Sequence, residues 1–249
     1  GDWKIDPEPV LGEMTNAAAI QKLGDEGVLA LVCDSTNALV PGHSGSEAKV
    51  RSSLSDLIGT LKGRVAVTSF ASNVARLDSI AHAARTHGRK LALVGRSMHK
   101  IVAAARDSGY LADFPATLDA AQASELPARK VLYLVTGSQG EARAALGRIA
   151  DGNHPDVQLG KGDAAIFSSR IIPGNELAIH ELHNKLAALG VEVLTAEDHF
   201  VHVSGHPARE ELAQMYRWTR PQIAVPVHGE LRHIAEHARL AKSLQVPQA

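Results

Sequence analysis

Short apolar runs alternate along the chain with segments whose apolar residues recur every three or four positions. The runs fall at 28–33, 64–69, 90–95, 131–137, 164–169, 191–194, 200–203 and 223–227. They are brief, aliphatic or β-branched, and bounded by turn-forming residues, as strands buried on both faces are. Between them, Val50, Leu54, Leu57, Ile58 and Leu61 share one helical face. Leu182, Leu186 and Leu189 repeat that spacing before Gly190, a natural helix stop. Further helices are expected over 75–86 and 97–107. A strand–helix alternation of this kind predicts an α/β fold with a mostly parallel sheet in its middle. Residues 113–128, with Pro115 and Pro127, read as an irregular connection, and 151–155 as a turn cluster.

The ends of the predicted strands are polar. Asp34-Ser35-Thr36-Asn37, Ser69-Phe70-Ala71-Ser72-Asn73, Gly95-Arg96-Ser97-Met98, Thr136-Gly137-Ser138-Gln139-Gly140-Glu141 and Ser168-Ser169-Arg170 each follow a strand. Ligands of open α/β sheets bind at the carboxyl ends of strands. Hydroxyls and backbone N–H groups at helix N-termini there suit phosphate oxygens. Any one such loop is more simply a helix cap. Five on one sheet edge, two of them carrying arginine, favour an anion site.

Histidines gather later in the chain. His206 follows the run at 200–203 through Ser204-Gly205, and His228 ends the run at 223–227. A histidine at a strand end can ligate metal or move a proton near neutral pH. Two of them, with Asp34 at a third strand end, form a more specific constellation. The helical pairs His233/His237 and His180/His183 lack a third ligand at zinc spacing and read as partly solvated helix faces.

Composition narrows the setting. The formal net charge is −1 over 249 residues, so any nucleic-acid contact must come from a local basic groove. The single cysteine, Cys33, sits in an apolar run, excludes an internal disulfide and reads as a core thiol. No apolar stretch is long enough to cross a bilayer and no signal peptide opens the chain, so no membrane association and a cytoplasmic location are expected. The opening at Gly1, without methionine, suggests a partial chain.

The ordered phrases Gly1-Asp2-Trp3-Lys4-Ile5-Asp6-Pro7, Asp34-Ser35-Thr36-Asn37, Gly95-Arg96-Ser97-Met98, Thr136-Gly137-Ser138-Gln139-Gly140-Glu141, Val203-Ser204-Gly205-His206 and Pro226-Val227-His228-Gly229-Glu230 together resemble the ribonuclease J family, in the beta-CASP branch of the metallo-β-lactamase fold. The resemblance covers essentially the whole chain. It implies a beta-CASP parallel α/β domain over 43–205, inserted in a partial metallo-β-lactamase αββα domain made of 1–42 and 206–249. It implies a metal-dependent ribonuclease, chiefly a 5′-to-3′ exoribonuclease with endonuclease activity as a further expectation. Asp2 resembles the carboxylate that bridges two divalent ions, zinc or manganese, and His228 a histidine completing one ion's shell. His206 resembles the histidine that protonates the leaving oxygen, and Asp34 its acidic partner. Ser69, Arg96, Ser97, Gly137, Ser138, Ser169, Arg170, Ser204 and Gly205 would hold the RNA backbone and its 5′ monophosphate.

One departure stands out. The family's His-x-His-x-Asp-His signature occurs nowhere in this chain. The expectation is therefore an incomplete, inactive fragment that holds few or no metal ions, while the full-length protein is a ribonuclease and a homo-oligomer. Two other readings compete. A nucleotide-binding α/β domain would use the turn at 131–141, but that turn has neither G-x-G-x-x-G spacing nor a P-loop lysine. A non-catalytic RNA-binding or assembly module would bind RNA without dependence on metal.

Overall fold

A computed structural model describes residues 1–249. The chain divides into two compact units, residues 1–46 with 203–249, and residues 47–202.

The first unit holds helix α1 (Ala17–Glu26), strand β1 (Ala30–Asp34), helix α8 (Arg209–Thr219), strand β7 (Ile223–Val227) and helix α9 (Leu231–Ser243). Strands β1 and β7 pair in parallel, with Cys33 opposite Pro226 and Asp34 opposite Val227. Pro226 has no N–H to give, which a strand with one neighbour tolerates. Because both strands run the same way and end together, Asp34, the last residue of β1, and His228, just past β7, emerge close to one another. Beneath them Cys33, Ala38, Leu212, Ala213 and Leu240 form a core joined by Trp3 and Leu31. Burial pushes the Cys33 thiol up to about 11, as suits an inert core group.

The second unit holds α2 (Glu47–Thr60), β2 (Val65–Thr68), α3 (Val74–Thr86), β3 (Lys90–Val94), α4 (Arg96–Asp107), α5 (Ala120–Ser124), β4 (Val131–Val135), α6 (Ala145–Ala150), β5 (Ala164–Phe167), α7 (Glu176–Ala188) and β6 (Glu192–Leu194). Its five strands form one parallel sheet in the order β3-β4-β2-β5-β6. Every residue of β2, β4 and β5 is buried. Helices cover both faces of such a sheet, which is why these strands read as unbroken apolar runs rather than as alternations. From β2 the chain adds β3 and β4 on one side. It then crosses to add β5 and β6 on the other, so strand order reverses between β2 and β5.

Four expectations need correction. The run at 200–203 is not a strand. The Val201 carbonyl accepts from Arg76 Nη1 at 3.1 Å and Ser168 Oγ at 2.7 Å, so side chains replace a strand neighbour. The connection at 113–128 is broken by α5, which Asp119 and Gln122 cap reciprocally. The loop after Asp34 belongs to the β1–β7 sheet, so four of the five polar loops, not five, lie on one sheet edge. His237 is fully buried rather than part of a solvated face.

Candidate metal centre and phosphate-binding edge

Asp2, Asp34, His206 and His228 come together in the first unit, with potential ligand atoms all within 4.8 Å of one another. Asp34 is 1% exposed at the end of β1. One of its oxygens accepts the Thr36 N–H at 2.8 Å, and the other lies 2.6 Å from His206 Nδ1. Burial opposes ionisation of Asp34, but the His206 and Thr36 hydrogen bonds more than offset it and hold its carboxyl below the ordinary range. An ionised carboxylate only accepts, so His206 Nδ1 carries the proton and donates. Nε2 is then the ring nitrogen that would turn to a substrate or an ion.

Asp2 and His228 form the second half of the cluster. Asp2 Oδ1 lies 3.5 Å from His228 Nε2 and 4.0 Å from His206 Nδ1. The imidazoles of His206 and His228 stand 5.3 Å apart between centroids. Two ligands each about 2.0–2.1 Å from a tetrahedral ion are separated by roughly 3.3 Å. The Asp2–His228 pair therefore fits a divalent cation by donor type and by spacing. Catalytic zinc ordinarily takes three protein ligands, and Asp34 is already committed to His206 and Thr36.

Local chain geometry explains the placement. His228 adopts φ +57° and Gly229 φ +146°. A left-handed histidine is uncommon, and such strain tends to persist at functional sites. A Cβ on Gly229 would sit 3.1 Å from His233 Cβ, so glycine is needed at the entry to α9. The Ser35 N–H donates to the carbonyls of Val227 and His228, tying the ends of the two strands together. The Asn37 amide donates to Ser204 Oγ at 2.8 Å and to the His206 carbonyl at 3.1 Å. Ser204 Oγ also accepts the His206 N–H at 3.1 Å. Within this loop, a Cβ added to Gly205 would meet open space. Glu211, fully buried, accepts from the N–H groups of Ile5, Ser44 and Ala208 and from Ser44 Oγ. It thereby fixes the segments that carry Asp2 and His206.

A buried relay lies behind Asp34. Ser35 Oγ is 2.8 Å from His237 Nδ1, and His237 Nε2 is 2.8 Å from the Tyr216 hydroxyl. Burial lowers the His237 pKa to about 4, against a smaller upward pull from Asp34, and burial likewise pushes the Tyr216 hydroxyl up. The unfolded chain then binds the proton more readily than the folded one. Stability present above the ordinary histidine pKa is lost as pH falls from about 6.5 to about 4, by on the order of 3 kcal/mol. Urea unfolding across that window should show this loss, reduced in a His237→Gln variant; equal slopes in parent and variant would count against it.

The other predicted residues lie in the second unit. Arg96 and Ser97 open α4, whose N-cap Gly95 offers no side chain to its N–H groups. With Lys100, Thr136 and Glu141 they line a cavity of about 510 Å³. Ser138, Ser169 and Arg170 line a second cavity of about 460 Å³. Gly137 has φ +118° and packs against Ala144 and Leu146, so its role is to turn the chain. Ser69 is buried, its hydroxyl has no protein partner, and it lines neither cavity. Capping accounts for two of these four loops: Asn73 caps α3, and Thr136 Oγ1 accepts the Ala145 N–H. His233 Nδ1 accepts the Glu230 N–H at 3.1 Å, so its pair with His237 is not a metal site. His183 packs its ring edge-on against Phe167.

Residues 62–186 match the family described as "Ribonuclease J, beta-CASP domain". The chain belongs to the ribonuclease J family. Residues 190–247 match a second family, described as "Zn-dependent metallo-hydrolase RNA specificity domain". A ribonuclease J of Sinorhizobium meliloti is 49% identical over 247 residues, which is 99% of this chain and 44% of that protein. The Thermus thermophilus ribonuclease J is 41% identical over 99% of this chain and 43% of its own length. The Synechocystis ribonuclease J is 41% identical over 99% of this chain and 39% of its own length. The chain thus spans less than half of each of these relatives. The first match bears out the α/β beta-CASP reading, and the zinc-dependent description of the second supports metal use. No helix is long and apolar enough to cross a membrane.

Proposed function

We propose that the chain supplies the proton-donating side and two metal ligands of an RNA-hydrolysing centre, in a protein that degrades RNA chiefly from its 5′ end. The observation that carries this is the His206–Asp34 contact at 2.6 Å beside the Asp2–His228 pair at 3.5 Å. Two divalent ions, zinc or manganese, would supply Lewis acidity and activation of the attacking water there. Asp2 and His228 are the residues of this chain that would hold them. Asp34 fixes the His206 ring with Nδ1–H inward and stabilises its cationic form. Nε2–H of that cation then donates to the departing 3′ oxygen, which is a poor leaving group unprotonated.

The phosphate-binding reading rests on Arg96, Ser97 and Lys100 around one cavity, with an uncapped helix of 12 residues opening into it. Ser138, Ser169 and Arg170 would hold RNA on this unit, and Ser204 and Gly205 would do so beside His206 on the other. The test uses a short 5′-phosphorylated RNA and fluorescence anisotropy without metal. Affinity should fall as salt rises, because neutralised phosphates release counterions. Arg96→Ala and Arg170→Ala should each weaken binding by about 1.5–3 kcal/mol. If both variants bind as the parent does, these loops are helix ends and turns, with no part in RNA binding.

A further inference from the structure

The two cavities of the second unit differ in chemistry. The one at Arg96 and Lys100 has two cations against one carboxylate, Glu141, and suits an anion. The other, about 460 Å³, has Arg170 as its one lysine or arginine and Glu197 as an opposing carboxylate. Its lining is otherwise apolar, imidazole or hydroxyl, with Phe167, Ile179, Ser138, Ser169 and His183 among the residues. Its size and its few convergent polar groups are those of a site for a small organic ring system. It opens at the carboxyl ends of β4 and β5, flanking the place where strand order reverses, where open α/β sheets take their ligands.

His183 adds an independent sign. Its ring packs against Phe167 at 4.3 Å between centroids and an interplanar angle of 73°. Its Nε2 is buried with no hydrogen-bond partner in the protein. Burial, and then the charge of His180, lower its pKa, so the ring is neutral and can either donate or accept. Buried polar atoms are nearly always paired, and an unpaired one in a cavity wall marks a group kept for something absent. Single-stranded RNA is read in this way, with unstacked bases laid against aromatic or histidine rings and hydrogen-bonded along their edges.

We propose that this cavity is a nucleobase pocket. One base of bound RNA leaves its stack, packs against the Phe167–His183 wall, and takes its edge contacts from His183, Ser138 and Ser169. The proposal rests on the ribonuclease reading and refines it: Ser138 and Ser169 meet a base edge, while Arg170 keeps its part in holding the backbone phosphates.

The test measures binding of short 5′-phosphorylated RNAs to the 249-residue chain without metal, with one abasic nucleotide moved along the strand. One position should lose about tenfold or more in affinity, the scale of a single stacked base. Ala196→Trp and Ile171→Trp place an indole in the cavity from its exposed and its half-buried rim. Both variants, with circular dichroism melts like the parent's, should bind intact RNA as weakly as the parent binds the sensitive abasic RNA. They should show no further loss at that position. The pocket is refuted if every abasic RNA binds as tightly as the intact one, or if the loss persists unchanged in both variants. If no RNA binds the parent at all, the ribonuclease reading falls with it.

Discussion

Replacing His206 by alanine is expected to slow RNA cleavage by the full-length protein by about 10²–10⁴-fold, the usual worth of a positioned general acid. Metal content should stay near normal, because His206 Nδ1 is engaged by Asp34 at 2.6 Å, whereas the metal reading rests on Asp2 and His228. His228→Ala should behave differently. Its Nε2 faces Asp2, so its loss should lower bound metal and activity together. Asp34→Asn keeps the shape but removes the charge that favours the imidazolium, and should resemble His206→Ala in rate without loss of metal. Single-turnover cleavage, elemental analysis and melting temperature on the three variants separate these cases. Full activity in a folded His206→Ala protein would defeat the mechanism. Equal loss of stability in all three, with no selective effect on rate or metal, would reduce the cluster to packing.

The sequence made some of this legible and hid the rest for physical reasons. Strands buried on both faces announce themselves as apolar runs, and β2 to β5 were readable for that reason. Helix α1 was not, because it has no buried residue and so no apolar stripe facing a core. Asp34, His206 and His228 stood out because each follows an apolar run at a glycine- or serine-bearing turn. Nothing local marked Glu211, a buried acid whose four donors come from positions 5, 44 and 208. His237 looked like half of a solvated pair, since spacing along a helix cannot say which face is covered. The orphaned His183 nitrogen is likewise a fact of packing. Assignment of loops to sheets failed in one place, because parallel pairing of β1 with β7 joins residues almost 200 positions apart, from Asp34 to Val227.

Arg76 is the clearest case of a residue with no signal in the sequence and a large expected effect. It is 0% exposed on α3, and Glu47, at the start of α2, is 7% exposed. Its guanidinium donates to both oxygens of Glu47, at 3.0 and 2.9 Å, in a bidentate pair. Its remaining nitrogen donates to the carbonyls of Ser168 and Val201 and to Ser168 Oγ, between 2.7 and 3.1 Å. One side chain thus satisfies a buried acid, the end of β5 and the segment at 201 that forms no strand. Arg76→Met keeps much of the volume but takes from the buried Glu47 its bidentate partner. Breaking a buried pair in this way costs about 3–5 kcal/mol, most of it the penalty on the stranded charge. Urea unfolding of the variant should show a loss of that size. Adding Glu47→Leu removes the stranded charge, so the double variant should recover a large part of it, as apolar replacements of buried pairs do. The recovery should not extend to RNA. Ser168 would still lack its donor, and the neighbouring Ser169–Arg170 segment would be less fixed. The double variant should therefore bind 5′-phosphorylated RNA more weakly than the parent at equal folded fraction. Stability within about 1 kcal/mol of the parent in Arg76→Met, the ordinary worth of a surface pair, would show that the Glu47 contact is dispensable.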